Sequence, residues 1–232
     1  MSKRSLLGQA YNLQKIACGL IFDLDGVLFD SHPIHRKAWA DLLQKASRSA
    51  SDDELDFIMD GATREEILFH FLGQLRPEQV AWYTKQKEIM FQSEEDQLQT
   101  TNGLEAFLDV VESANLPKVV ATSASGTRAR RLLERHRLTP RFAAVITGDD
   151  VRRGKSDPAI FVRSAQELGR RPSETLVFED AVPAIRSVKR IGMKCVGIAT
   201  GARRLQLLEA GADLVVADFT QLRLPDVMRL FS

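Results

Sequence analysis

The second half of the chain alternates short, unbroken apolar runs with segments of helical period, and few folds accept that pattern. The runs are Lys118-Val119-Val120-Ala121-Thr122, Ala143-Ala144-Val145-Ile146-Thr147, Thr175-Leu176-Val177-Phe178, Lys194-Cys195-Val196-Gly197-Ile198 and Leu214-Val215-Val216. Cys18-Gly19-Leu20-Ile21-Phe22 adds one near the start. A strand apolar on both sides must be covered on both faces, which parallel strands joined by helical crossovers achieve. The expected fold is a doubly wound α/β parallel sheet.

Residues 33 to 100 break this rhythm. No β-rich run occurs there, and apolar residues recur at helical spacing: Ala38, Trp39, Leu42, Leu43; Leu55, Ile58, Met59; Ile67, Leu68, Phe71, Leu72; Val80, Trp82, Tyr83. The spacing predicts a helical cap domain over 33–100, inserted after the first strand into a discontinuous Rossmann-like core of 1–32 and 101–232. Residues 1–15 read as a loosely held extension, with an amphipathic helix as the alternative. The stretch after Arg4 is too polar for a secretory signal.

Composition narrows the function. Lys plus Arg number 32 and Asp plus Glu 31, a net charge of +1. That balance argues against nucleic acid or an anionic membrane as partner. Two cysteines, Cys18 and Cys195, lie outside any metal spacing and fit a reducing compartment. The expected location is the cytoplasm and the expected state a monomer. The arginines from Arg128 to Arg141 read as a solvated helix face.

Ligands of an open α/β sheet bind at the carboxyl ends of its strands. Four such ends are polar here. Asp23-Leu24-Asp25-Gly26 follows the first strand, with both carboxylates expected on one side of an extended backbone. Thr122-Ser123-Ala124-Ser125-Gly126 opens a helix whose N–H groups make an anion site. Lys155 in Gly154-Lys155-Ser156-Asp157-Pro158 is an ammonium expected at a helix start, and Glu179-Asp180 is a second acid pair. Four carboxylates and one lysine are costly together unless a cation joins them. Oxygen ligands with room for water favour Mg²⁺ over Ca²⁺. Such a site suits phosphoryl transfer, in which positioning and charge stabilisation dominate.

These residues resemble a known family. Ile21-Phe22-Asp23-Leu24-Asp25-Gly26-Val27-Leu28-Phe29-Asp30-Ser31 is similar to the first motif of the haloacid dehalogenase superfamily, and Ser123, Lys155 and Glu179-Asp180 match its other three. The resemblance spans about 17–220. It implies Asp23 as nucleophile, Asp25 as general acid/base, and Ser123 and Lys155 on the phosphoryl oxygens. It implies Mg²⁺ held by Asp23, the Asp25 backbone carbonyl and Asp180, with Glu179 close by. A carboxylate at Asp25 is a mark of phosphatases and phosphomutases rather than dehalogenases.

Asp30-Ser31-His32-Pro33-Ile34-His35 and Gly61-Ala62-Thr63-Arg64-Glu65-Glu66 resemble the β-phosphoglucomutase-like branch, which would place His35 and Arg64 at the substrate with Ser123, Ala124, Ser125 and Lys155. His32, His70 and His136 read as surface or packing residues. Three positions depart from the pattern: Asp60 replaces a lysine, Ser156 a proline and Ala184 a glycine. Asp60, if it faces the pocket, disfavours a second phosphate and hence mutase chemistry. The expected activity is a Mg²⁺-dependent phosphatase of a small phosphorylated metabolite such as a sugar phosphate. The alternatives are a β-phosphoglucomutase-like mutase and, remotely, a non-enzymatic phospho-accepting receiver.

Overall fold

A computed structural model describes residues 18–59, 63–151, 155 and 157–232, and for Asp56, Phe57 and Met59 the backbone alone. The extension at 1–15, Asp60, Gly61, Ala62, Gly154 and Ser156 lie outside the described residues. Six strands form one sheet: β1 (Gly19–Phe22), β2 (Lys118–Ala121), β3 (Val145–Ile146), β4 (Thr175–Glu179), β5 (Lys194–Ile198) and β6 (Leu214–Val216). All neighbours are parallel, in the order β3-β2-β1-β4-β5-β6. The run 143–147 contributes only two strand residues, at the sheet edge.

Side-chain alternation sends successive strand residues to opposite faces. Leu20, Phe22, Val120, Leu176, Phe178 and Val196 share one cluster; Ile21, Val119, Ala121, Val177 and Cys195 share the other. The first face is covered by α5 (Leu104–Ser113), α6 (Gly126–Arg135) and α10 (Leu224–Arg229). The second is covered by α7 (Ala159–Glu167), α8 (Val182–Arg190) and α9 (Arg203–Glu209). Continuous apolar runs are what such two-sided burial selects.

Between β1 and β2 come α1 (His32–Lys45), α2 (Asp52–Met59), α3 (Arg64–Leu72) and α4 (Pro77–Glu94), with no strand among the described residues. They bury a cluster of their own around Trp39, Leu42, Leu43, Ile67, Leu68 and Phe71. The chain enters and leaves this region through two segments lying side by side: Asp30 N–H donates to the Gln99 carbonyl at 3.0 Å, and Thr101 N–H to that of Leu28 at 3.0 Å. No helix among the described residues is long and apolar enough to cross a membrane.

Candidate active site

The polar strand ends meet at one edge of the sheet, beneath the inserted helices. There they line a cavity of about 600 Å³. β1 stops at Phe22, and the chain then turns rather than continuing extended: Leu28 and Phe29 N–H both donate to the Leu24 carbonyl, at 3.1 and 3.0 Å. Gly26 sits at φ 73°, and a β-carbon there would collide with the Asp180 carboxylate and crowd His32. Only glycine serves at that point. Asp23 and Asp25 therefore do not project from one extended strand, as the two-residue spacing suggested. The turn points their carboxylates at different partners.

Asp23 faces the sheet. It is buried and ion-paired with Lys155, whose Nζ also donates to Glu179 Oε1 at 2.6 Å. The other Glu179 oxygen accepts from the Asp180 and Ala181 N–H groups at 2.5 and 3.0 Å. Asp180 pairs with His32 Nε2 at 2.7 Å. Burial pushes the Asp23 carboxyl well above its ordinary range. The Lys155 ammonium opposes that shift, and the Glu179, Asp180 and Asp25 charges add to it. Burial favours a neutral Lys155, but the Asp23 and Glu179 charges outweigh it and raise its pKa. Lys155 lies in a turn ahead of α7, which begins at Ala159 rather than beside it.

Asp25 faces the inserted helices. Its Oδ1 accepts from Ser31 Oγ at 2.9 Å and lies 3.1 Å from His35 Nε2, and Arg128 pairs with its Oδ2. Burial alone would raise the Asp25 pKa, but Arg128, His35 and Ser31 outweigh it and hold the carboxyl well below its usual range. Lys87 Nζ stands 2.5 Å from His35 Nδ1. An ammonium only donates, so Nδ1 accepts and Nε2 carries the hydrogen given to Asp25. The approach of Arg128 Nη1 to the same Nε2, at 3.1 Å, is then a contact between two donors. Burial and the Lys87 charge push His35 down to about 3; burial and the Arg128 charge push Lys87 down to about 7.

The remaining sequence candidates divide. Ser123 and Ala124 line the cavity. Ser125 is not among the lining residues: its side chain caps α6, accepting from Arg128 N–H at 3.4 Å. Arg64 lines the cavity as the first residue of α3, a helix started by the reciprocal Thr63–Glu66 capping box. His35 lines it too, though buried and engaged on both ring nitrogens.

Three site residues escaped the sequence reading. His32, read as surface or packing, holds Asp180. Arg128, read with a solvated face, is buried at 4% exposure. Lys87 was not singled out. A signal existed for two of them. Lys87 stands seven residues after Val80 and four before Phe91, and Arg128 four before Leu132; each is a cation within an apolar stripe.

Carboxylate oxygens of Asp23, Glu179 and Asp180 lie within 4.8 Å of one another, all three residues buried. An oxygen-only, net-negative donor set of this kind fits a hard divalent cation such as Mg²⁺, which would relieve their mutual repulsion. The Asp25 carboxylate is not part of the group.

A model of the haloacid dehalogenase-like hydrolases matches residues 19–192. The chain belongs to this family. The hydrolase is of the phosphatase kind, and several relatives at 30% identity bear phosphatase names. It is 30% identical over 213 residues to the validoxylamine A 7'-phosphate phosphatase of Streptomyces hygroscopicus subsp. limoneus, covering 89% of this chain and 96% of that one. It is 28% identical to the β-phosphoglucomutase of Bacillus subtilis (strain 168), covering 88% and 91%. Among solved structures, a family IA, variant 3 hydrolase of this superfamily from Entamoeba histolytica superposes with a TM-score of 0.84 at 23% identity, covering 92% and 98%.

Proposed function

We propose that the hydrolase is a Mg²⁺-dependent phosphatase of small phosphorylated metabolites such as sugar phosphates, working through a phosphorylated Asp23, with residues 33–100 as the cap that selects the substrate. The observation that carries this reading is the buried Asp23 carboxylate between the Lys155 ammonium and two further carboxylates at the floor of the cavity. An Asp23 oxygen attacks phosphorus and the ester P–O bond breaks. Lys155 and Ser123 take the phosphoryl oxygens, whose charge grows in the transition state. Mg²⁺, held by Asp23, Asp180 and the Asp25 backbone carbonyl with Glu179 near, would supply Lewis-acid charge to the same oxygens.

Asp25 handles the proton. Ionised on Arg128 and His35, it is equipped to take a proton from the water that hydrolyses the acyl phosphate. The proton it takes from water is the one it gives to the leaving oxygen in the next turnover, so each cycle returns Asp25 to its starting state. Water's oxygen ends on phosphate, and Asp23 is regenerated.

A phosphomutase is the second reading. It draws on Arg64 and Lys87, two cations lining the cavity that could grip a second phosphate. Asp60, which would repel a second phosphate if it faced the pocket, lies outside the described residues. The test is a panel of phosphorylated metabolites assayed for released phosphate, with EDTA and with Mg²⁺ restored. Release should stop in EDTA and return with Mg²⁺, and Asp23→Asn should abolish it. Full turnover in chelator would overturn the metal assignment. Glucose 6-phosphate forming faster than free phosphate from β-glucose 1-phosphate, with a trace of the 1,6-bisphosphate, would establish the mutase.

A further inference from the structure

Two rows of side chains face each other beside the cavity. Lys87, Phe91 and Glu95, spaced four apart, lie on one side of α4 and the turn that continues it. Arg128, Arg131 and Arg135, spaced three and four apart, lie on one side of α6. The rows meet rung by rung. The Arg128 guanidinium carbon sits 4.9 Å from the centre of the Phe91 ring, and Lys87 Nζ is 4.9 Å from the same ring. Arg131 grips Glu95 with two bonds, Nε to Oε2 at 3.0 Å and Nη2 to Oε1 at 2.5 Å. Arg135 pairs with Asp96.

The two ends of these rows differ. Lys87 and Arg128 line the cavity, while Glu95 and Arg131 are not among its lining residues. Yet Glu95 is 2% exposed. A carboxylate withdrawn from water is a costly way to join two helices, since an apolar pair would do it without desolvation. What a bidentate fork adds is geometry: it fixes direction as well as distance. Glu95, in the turn that continues α4, stands two turns beyond Lys87 on the same side. Gripping Glu95 therefore sets the rotation of α4 about its own axis, and that rotation decides whether Lys87 reaches His35.

We propose that Arg131 and Glu95 are positioning residues: the fork of half-buried Arg131 on buried Glu95 sets the rotation of α4 against α6, holds Lys87 on His35, and so aims Asp25 from outside the cavity. This rests on Asp25 being the proton-handling group of the proposed phosphatase.

The experiment compares Glu95→Gln, Arg131→Met and Arg131→Lys in the full chain. Misplacement by about 1 Å from a remote change can lower a rate by about 10²-fold, so kcat should fall by about 10- to 100-fold in the first two. Inhibition by inorganic phosphate, held by Ser123 and Lys155 on the core side, should stay within about twofold, the split expected when binding is spared and rate is lost. Arg131→Lys, which keeps the charge but not the fork, should recover part of the rate. A pair that only holds the fold would lower the melting temperature and leave kcat of the folded protein unchanged, which would overturn the proposal. Hydrogen exchange supplies a readout that needs no activity. In Arg131→Lys, which retains the ion pair for folding, amides of α4 and of α1 around His35 should exchange faster while those of β1 and β4 do not; unchanged exchange in α4 also overturns it. Absence of phosphate release by the wild-type protein would instead count against the phosphatase reading alone.

Discussion

Lys87 is a lysine held far from its ordinary environment. It is 5% exposed, and burial with the Arg128 charge lowers its pKa from 10.5 to about 7. Between those two values the unfolded chain binds a proton that the folded protein does not. Stability therefore rises with pH across that window, and the penalty of the buried charge is felt in full below about pH 7. Urea titrations at pH 7 and pH 10 should show the wild-type protein gaining stability relative to Lys87→Met; equal differences at the two pH values would refute the assignment. Lys155 is the opposite case, a buried ammonium kept charged by Asp23 and Glu179. Lys155→Ala should lower turnover by about 10²–10³-fold, the loss typical for one charge-stabilising donor, as read from steady-state phosphate release.

The pairing of β1 with β4 places the two halves of the acid cluster together. Phe22 sits opposite Phe178 in the register, their rings stacked at 4.4 Å, and Phe107 meets Phe178 edge-on at 5.6 Å. Asp23 and Glu179 directly follow these two phenylalanines, and Asp23 N–H donates to the Phe178 carbonyl at 3.0 Å. The aromatic cluster thus sets where the carboxylates emerge. Phe178→Ala should destabilise the protein by about 3–5 kcal/mol, whereas Phe178→Leu, which leaves a smaller void, should cost less. Guanidinium unfolding midpoints at constant slope would measure both. Equal, small losses would mean that the cluster tolerates a cavity without consequence.

Across the whole molecule, the sheet divides the interior into two apolar layers, and both cysteines lie within them. Cys18 belongs to one cluster and Cys195 to the other. Burial pushes the Cys18 thiol up to about 11 and that of Cys195 well above its usual value, so little thiolate forms. Neither thiol should react with Ellman's reagent in the native protein, and both should appear together as denaturant unfolds it. Labelling of Cys195 at free-thiol rates in the folded state would contradict the two-layered core.

The sheet, its two-sided covering and the positions of Asp23, Ser123, Lys155, Glu179 and Asp180 could be read from residue order alone. Each is a local matter. An apolar run of four or five residues between helical segments reads as a buried strand, and polar residues just after it, as at Asp23, Ser123, Glu179 and Asp180, emerge at the strand's end; Lys155 stands nine residues past Ile146, in the loop after β3. The partners of those residues were of another kind. Asp25 and Arg128 are 103 residues apart, and His35 and Lys87 are 52 apart. Spacing in the sequence marks a cation in an apolar stripe but cannot say which distant carboxylate or imidazole will neutralise it. The arginines of α6 show the difference most plainly. Arg131 and Arg135 carry the spacing of a solvated face, and they became clasps because the packing of α6 on the end of α4 brought Glu95 and Asp96 within reach. Buried charge is stabilised only by neighbours a few ångströms away, and which neighbours those are is settled when the layers pack.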